Sequence, residues 1–301
     1  LMKKLMSANE AIARGAWECG VHFASGYPGT PSTEIMENIA KYPEIDAQWS
    51  SNEKVAMDVG LGASLGGCRV IVTMKHVGLN VAADSFMVYP YSGINGGMVI
   101  ISADDPGMHS SQNEQDNRYF AKFAKVPLLE PSDGNEAKIL IKEAFEISER
   151  FSTPVLFRTT TSIAHTRCAI ETGERKETAK KTPVKNFDNF VVPINAKKLR
   201  PKLEDKLLLL KDFSNGFKFN SVEIKGTNIG IIANGVSYQY AKEVFPEASF
   251  LKLTMSFPFP DKLVKDFCAK HKTVYIIEEG EPFIEEQTRI LGITNVIGKD
   301  K

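Results

Sequence analysis

The sequence predicts an α/β protein with two units, each built around a sheet whose strands run mostly parallel. The first observation is that segments typical of strands and of helices alternate along the chain. The second is that residues 69–73, 97–102 and 228–233 are continuous apolar runs without polar alternation. Such runs are typical of strands that are buried on both faces of a parallel sheet.

A change in composition divides the chain. Residues 171–185 are rich in charge and are expected to be solvated, and residues 191–211 can form a helix rich in Lys and Leu. We therefore expect a first domain over 1–165, a linker over 166–225 and a smaller second domain over 226–301.

Composition also limits the classes of function. The 301 residues carry a formal net charge of zero, which argues against general binding to nucleic acid or to membrane surfaces. No apolar run is long enough to span a bilayer. The four cysteines are far apart and form no C-x-x-C pair, so we expect no metal site within this chain. Isolated thiols fit a reducing cytoplasm.

The first domain opens with a capping box at Ser7 and Glu10, which predicts a helix ending at Gly20. A short strand at 21–25 follows, and then the turn Gly-Tyr-Pro-Gly-Thr-Pro-Ser at 26–32. We expect Thr30 to be the N-cap of the next helix, with a proline at its first position.

A second helix start lies in Trp-Ser-Ser-Asn-Glu-Lys-Val-Ala at 49–56. Ser51 or Asn52 can cap this helix, and Glu53 lies in its first turn. The small residues over 56–67 cost helix propensity, so they favour close packing against a neighbouring backbone. Taken alone, Glu53 is best interpreted as an acid that compensates the helix dipole.

The remaining elements continue the same alternation. In the first domain we expect a loop at 75–78, a helix at 79–88, a polar loop at 104–116, a strand at 126–130, a helix capped by Asp133 and a strand at 154–158. In the second domain we expect strands at 228–233, 249–253 and 273–277, with helices at 237–245, 261–270 and 282–291.

Loops that follow parallel strands meet at the carboxyl edge of the sheet, where ligands bind in such folds. The turn at 26–32, the loop at 75–78 and the loop at 104–116 are therefore expected to lie near each other. No short motif identifies the ligand: the 26–32 turn is neither G-x-G-x-x-G nor a Walker loop. The acids around His109 match no metal-ligand spacing. Residue chemistry alone thus predicts an α/β ligand-binding protein.

Four segments together carry a more specific resemblance. They are the 26–32 turn, Ser-Asn-Glu-Lys-Val-Ala at 51–56, Thr-Met-Lys-His-Val-Gly-Leu-Asn-Val-Ala-Ala-Asp at 73–84, and Asp-Asp-Pro-Gly-Met-His-Ser-Ser-Gln-Asn-Glu-Gln-Asp-Asn-Arg at 104–118. Together they resemble the alpha subunit of indolepyruvate:ferredoxin oxidoreductases, which belong to the thiamine-diphosphate-dependent 2-oxoacid:ferredoxin oxidoreductases. The resemblance extends over nearly the whole chain.

The resemblance points to five site residues and implies roles for two of them. The first domain would be the pyrimidine-binding domain and the second a transketolase-C-terminal-like domain. Glu53 matches the family's glutamate that faces the aminopyrimidine ring of thiamine diphosphate. Thr30 matches a position whose hydroxyl lies near the substrate carboxyl group. Lys75, His76 and His109 lie in family-specific loops at the cofactor edge, without an assigned role.

The family's reaction is the oxidative decarboxylation of an aryl 2-oxoacid such as indolepyruvate to an acyl-CoA, with ferredoxin as electron acceptor and a beta subunit as partner. This chain lacks the family's G-D-G motif and its cysteine clusters. It therefore resembles the first two domains of a longer polypeptide, or a split subunit, and Mg²⁺, diphosphate and 4Fe-4S sites are expected elsewhere. The isolated chain should be inactive, and the first unit should self-associate or pair with its missing partner through the small-residue helix. The alternatives are an oxidoreductase for another 2-oxoacid and a non-catalytic ligand-binding module.

Overall fold

The computed structural model describes residues 2–183, 187–226 and 228–299. The strands are β1 (Met2–Ser7), β2 (Phe23–Gly26), β3 (Asp46–Trp49), β4 (Val70–Lys75), β5 (Met98–Asp104), β6 (Leu128–Leu129), β7 (Val155–Thr160), β8 (Arg167–Thr172), β9 (Ser221–Glu223), β10 (Ile229–Ala233), β11 (Ser249–Lys252), β12 (Met255–Phe257), β13 (Thr273–Ile277) and β14 (Val296–Ile297). The helices are α1 (Ala8–Glu18), α2 (Thr33–Ile39), α3 (Glu53–Leu65), α4 (His76–Val81), α5 (Ala83–Ser92), α6 (Arg118–Ala124), α7 (Gly134–Phe151), α8 (Thr161–Ala164), α9 (Pro193–Asn215), α10 (Gly235–Val244), α11 (Asp261–Cys268) and α12 (Phe283–Ile290).

The larger sheet has seven strands in the order β12-β6-β7-β5-β4-β2-β3, and only the β12–β6 pair is antiparallel. Strands β4, β5 and β7 are buried along their whole length, which explains the apolar residues that begin each of them. Helices α1, α2 and α7 pack together on one face, and α3 and α5 pack together on the other. The predicted α/β fold with a largely parallel sheet is confirmed.

The smaller sheet has five strands in the order β14-β13-β10-β11-β9, and β9 alone is antiparallel to its neighbour. The two sheets do not belong to separate cores. One apolar cluster contains Phe86 and Val126 beside the larger sheet together with Phe267 and Phe283 beside the smaller one. In addition, β12 extends the larger sheet by pairing Met255 with Leu129 of β6. The second unit is therefore joined to the first by shared packing.

The segment expected to be a linker contains regular structure. Strand β8 pairs with β1 in an antiparallel ladder, and α9 is a long helix. Residues 173–182 lie along the loops that precede β2, β4 and β5. Lys181 N donates to Gly67 O at 2.9 Å, and His22 Nε2 lies 2.6 Å from Thr178 O. The end of the charged stretch, residues 184–186, lies outside the described residues.

Gly67 explains how a charged segment can be fixed there. It has a φ of +93°, and a Cβ at this position would lie 1.9 Å from Lys181 O. The contact is made by main-chain atoms, so the charged side chains that predicted a solvated linker do not oppose it. The division of the chain into domains remains a prediction.

Several local predictions are confirmed. Ser7 and Glu10 form the capping box of α1, Asn52 Oδ1 accepts from Val55 N at 2.9 Å, and Asp133 caps α7. Of the helices in the described part of the chain, none combines the length and the apolar character needed to cross a bilayer.

Two local predictions are wrong. Helix α2 begins at Thr33, and Thr30 is an exposed turn residue instead of the N-cap. Residues after Thr30 close the turn instead. Ser32 Oγ donates to Gly29 O at 2.7 Å, and Gly29 N donates to Thr33 Oγ1 at 2.8 Å. The expected loop at 75–78 is also helical, since α4 begins directly after β4.

Candidate functional site

The carboxyl edge of the larger sheet brings together the segments that follow β2, β3 and β4. Strand β2 lies between the other two, and Gly26 at its end is in register with Trp49 of β3 and Thr73 of β4. The turn after β2 comes close to the end of β4, because a Cβ on Gly29 would lie 3.0 Å from Lys75 Cβ. The Thr30 turn, the start of α3 and the start of α4 are therefore neighbours.

Glu53 is the first residue of α3, and only 9% of it is exposed. Contacts with strands β2 and β4 hold α3 in position. Ser25 Oγ donates to Ala56 O at 2.7 Å, and a Cβ on Gly60 would lie 2.6 Å from Val72 Cγ2. The small residues of α3 thus permit close packing on the chain's own sheet.

The Glu53 carboxyl lies against a bare stretch of backbone. A Cβ on Gly78, in the first turn of α4, would lie 2.6 Å from both Cγ and Oε1 of Glu53. Among the residues that the structure describes, no hydrogen bond or ion pair reaches this carboxyl. Neither carboxyl oxygen is fully sealed from solvent, so the group stays open to water or to a ligand. It is therefore suited to an external hydrogen-bonding group.

Lys75 and His76 connect the start of α4 to the polar loop at 104–116. Lys75 Nζ donates to Ser110 O at 2.6 Å. The ring of His76 is fully buried, with Nε2 lying 3.2 Å from Asn113 O and Nδ1 without a partner in the described structure. The carbonyl of His76 accepts from Asn117 Nδ2 at 3.0 Å. Both side chains therefore hold the loop in place.

Asp105 organises the loop from within. Its carboxylate accepts from Ser110 N at 2.8 Å, Ser111 Oγ at 2.5 Å and Thr161 Oγ1 at 2.7 Å. Burial works against ionisation, but these hydrogen bonds outweigh it and lower the pKa of Asp105 to about 2. His109 lies on the exposed part of the same loop, where its ring stands over Gly107.

A buried ionic network that was not predicted from the sequence lies behind this loop. The network contains two guanidinium groups and four carboxyl groups, which come from Arg118, Arg158, Asp104, Asp116, Glu130 and Glu278.

Arg118 is fully buried and pairs with Asp116 in a bidentate contact. It also donates to Glu278 Oε2 at 2.6 Å and to Glu281 O at 2.7 Å. Arg158 donates to Asp104 at 2.6 Å.

Burial raises the pKa of Asp104 and of Glu278. Burial also opposes ionisation of Asp116, but the neighbouring Arg158 and Arg118 outweigh it and hold the pKa of Asp116 well below its usual value. A signal for the network was present in the sequence, since Arg158 interrupts an apolar strand and buried arginines require partners. In the part of the chain that the structure describes, no group of three or more His, Cys, Asp or Glu side chains is placed to hold a metal ion.

Comparisons with known proteins all identify subunits of 2-oxoacid oxidoreductases or related folds. A family model described as pyruvate flavodoxin/ferredoxin oxidoreductase, thiamine-diphosphate-binding, matches residues 14–203. The indolepyruvate oxidoreductase subunit IorA of Archaeoglobus fulgidus is 41% identical over 99% of this chain and 50% of its own length. The chain thus spans about half the length of the curated relatives that it matches.

Two solved structures share the fold. The 2-oxoglutarate:ferredoxin oxidoreductase of Magnetococcus marinus, solved with 2-oxoglutarate, coenzyme A and succinyl-CoA bound, aligns with a TM-score of 0.80 at 17% identity. This alignment covers 99% of this chain and 62% of that one. A split-gene transketolase in an inactive β4 tetramer aligns with a TM-score of 0.62 at 14% identity, covering 97% and 87% of the two chains. The expected fold class, in which a thiamine-diphosphate-type domain is followed by a transketolase-like domain, is therefore confirmed.

Replacing Asp105 with Asn should destabilise the loop in a pH-dependent way. A carboxyl whose pKa falls from 3.8 to about 2 on folding contributes stability above its unfolded pKa and loses it on acidification. We expect Asp105→Asn to lower the free energy of unfolding by about 2 kcal/mol at pH 7. The difference from wild type should shrink between about pH 4 and pH 2.

Urea unfolding across this pH range measures the effect. Glu114→Gln is the matched control, because Glu114 belongs to the same loop but is exposed, and within the described residues it accepts only from Gly107 N. It should change stability by no more than about 0.5 kcal/mol. Equal stability of Asp105→Asn and wild type at pH 7 would contradict the role given to Asp105.

Proposed function

The chain belongs to the thiamine-diphosphate-binding family of pyruvate flavodoxin/ferredoxin oxidoreductases, and on that premise we propose that it provides the pyrimidine-binding half of an active site. The observation that carries the proposal is Glu53, a residue nine-tenths buried at the sheet edge whose carboxyl has no hydrogen-bond or ion-pair partner in the described structure. When bound, thiamine diphosphate supplies the carbanion chemistry that releases the carboxyl group of a 2-oxoacid.

Glu53 would hold a proton, or a strong hydrogen bond, between its carboxyl oxygen and N1′ of the pyrimidine ring. The surroundings in this chain fit that group. The carboxyl fills the space that Gly78 leaves at the start of α4, and the turn that contains Thr30 lies beside Lys75 at the same sheet edge.

We propose an aryl 2-oxoacid such as indolepyruvate as the substrate, because the curated relatives at 41–44% identity are named indolepyruvate oxidoreductase subunits. The products would be an acyl-CoA and reduced ferredoxin, and a beta subunit would be a partner. The four free thiols support a location in the reducing cytoplasm. The alternatives are another 2-oxoacid as substrate and a non-catalytic module, and the exchange experiment below tests the second.

The other site residues receive narrower roles. Thr30 is exposed in the turn beside Lys75, where its hydroxyl is free to bind a substrate carboxylate. Lys75 and His76 would keep the polar loop against α4, and His109 would contact the cofactor edge from the exposed side of that loop. Domains at 1–165 and 226–301 remain part of the proposal. Mg²⁺, the diphosphate group and 4Fe-4S clusters would be bound by other parts of the enzyme.

Glu53→Gln in the complete enzyme should slow exchange of the cofactor's C2 proton by about 10²–10⁴-fold, because an amide cannot donate a carboxyl proton. Deuterium exchange followed by quenched-flow proton NMR measures this rate. Glu34→Gln is the matched control, since Glu34 is also an acid in the first turn of a helix. If both variants exchange at the wild-type rate, Glu53 is only a dipole-compensating acid and the catalytic proposal falls.

The chain alone should bind thiamine diphosphate weakly and show no turnover, because the diphosphate and its metal ion would need ligands from other domains. Calorimetric titration with cofactor and Mg²⁺ tests this. Micromolar binding would contradict it. Self-association of the chain, measured in the same samples by sedimentation velocity, is expected through a surface other than Gly60, which is buried against β4.

Thr30→Val should weaken use of the 2-oxoacid without destabilising the fold. A lost hydrogen bond to a charged carboxylate is worth roughly 1.5–3 kcal/mol, which corresponds to about 10–100-fold in kcat/KM. Thr33→Val is the control, because Thr33 Oγ1 closes the turn by accepting from Gly29 N. It should lose about 1 kcal/mol of stability and keep its kinetics. Unchanged kinetic constants in Thr30→Val would remove the substrate role.

A further inference from the structure

We propose that Gly78 is a positioning residue that determines where the Glu53 carboxyl lies, and this inference rests on the function proposed above. The two residues belong to different helices, α3 and α4, that begin at the same edge of the sheet. The ideal position of a Cβ on Gly78 is 2.6 Å from Glu53 Cγ, 2.6 Å from Oε1 and 2.9 Å from Cδ. The carboxyl therefore occupies the space that any other residue at position 78 would fill.

Backbone conformation does not account for this glycine. Gly78 lies inside α4 and is absent from the residues with positive φ. A glycine in such a position costs about 1 kcal/mol relative to alanine. Helix α4 has only six residues, so few other residues are available to offset that cost. The reason for a glycine here is therefore the space that it leaves for the side chain of Glu53.

The obstruction at Gly78 comes from one acidic side chain, as it also does at Gly173 and Gly298, whereas at Gly60 and Gly96 it comes from the buried sheet or the main chain. At Gly60 an added Cβ would meet Val72 of the buried sheet, and at Gly96 it would lie 2.0 Å from the carbonyl oxygen of Cys68. At Gly78 all three of the nearest atoms belong to the Glu53 side chain. An added methyl group would therefore displace one carboxyl and leave the neighbouring backbone where it is.

The required displacement is small but sufficient to matter. Carbon and oxygen atoms at 2.6 Å must separate by roughly 1 Å to reach ordinary van der Waals contact. The main chain of Glu53 cannot follow, because the Asn52 cap and the Ser25 contact fix the start of α3. The side chain must rotate away, and a misplacement of about 1 Å in a catalytic group can cost roughly 10²-fold in rate.

The test is Gly78→Ala in the complete enzyme, compared with Gly62→Ala. Gly62 is the matched control, because it also lies inside a helix without a positive φ, and an added Cβ there meets nothing within 4 Å. Both variants should resist urea at least as well as wild type, since both gain helix propensity. Only Gly78→Ala should slow exchange of the cofactor's C2 proton, by about 10–100-fold.

A crystal structure of Gly78→Ala without cofactor gives a readout that does not depend on activity. It should show the Glu53 carboxyl displaced by about 1 Å or more, with α3 and α4 unmoved. A double-mutant cycle with Glu53→Gln shows whether Gly78→Ala slows exchange through the Glu53 carboxyl. In the Gln background the carboxyl proton is already lost, so Gly78→Ala should cause little further slowing.

The outcomes separate this inference from the function on which it rests. If Glu53→Gln does not slow exchange, the proposed function and this inference fall together. If Glu53→Gln slows exchange but Gly78→Ala does not, only the positioning role of Gly78 is overturned. Equal slowing by Gly78→Ala in the Glu53 and Gln backgrounds would also overturn it, because the effect would then bypass the carboxyl. A Gly78→Ala variant that unfolds would overturn it as well, since the methyl group would have displaced the backbone.

Discussion

The pairing of Arg118 is the interaction on which the arrangement of the two units depends. Its guanidinium group is fully buried, so the protein must supply every hydrogen bond that water would have made. Those bonds come from both units: Asp116 belongs to the polar loop, while Glu278 and the carbonyl of Glu281 follow β13. Breaking a buried pair of this kind typically costs about 3–5 kcal/mol. The second unit is therefore held against the carboxyl edge of the larger sheet.

The same network extends to the candidate site through a continuous chain of contacts. Arg158 donates to Asp104, and Asp104 Oδ2 accepts from Asn117 N at 3.0 Å. Asn117 Nδ2 in turn donates to the carbonyl of His76, the first residue of α4. Two residues further along the helix, Gly78 contacts Glu53. The ionic network thus supports the helix that borders the Glu53 carboxyl, although none of its charged groups contacts that carboxyl in the described structure.

Sequence patterns predicted the features that depend on local chemistry. The capping residues Ser7, Asn52 and Asp133 act as expected, because a cap needs only atoms within a few residues of it. Long-range contacts were missed: β12 is only three residues long, and its pairing with β6 cannot be read from its own composition. Thr30 was misassigned because several residues in that turn can close it.

The surroundings of Glu53 test whether this residue is only an acid that compensates the helix dipole. An acid that only compensates a helix dipole can remain in water, where the first-turn position alone is enough. Glu34 in α2 is close to that case, since it is only half-buried and accepts from Asn9 Nδ2. Glu53 is buried without such a partner, and the facing helix has a glycine that is unfavourable for α4 itself. Dipole compensation explains neither the burial nor the glycine, whereas the proposed role of Glu53, a carboxyl held for an external hydrogen-bonding group, would account for both.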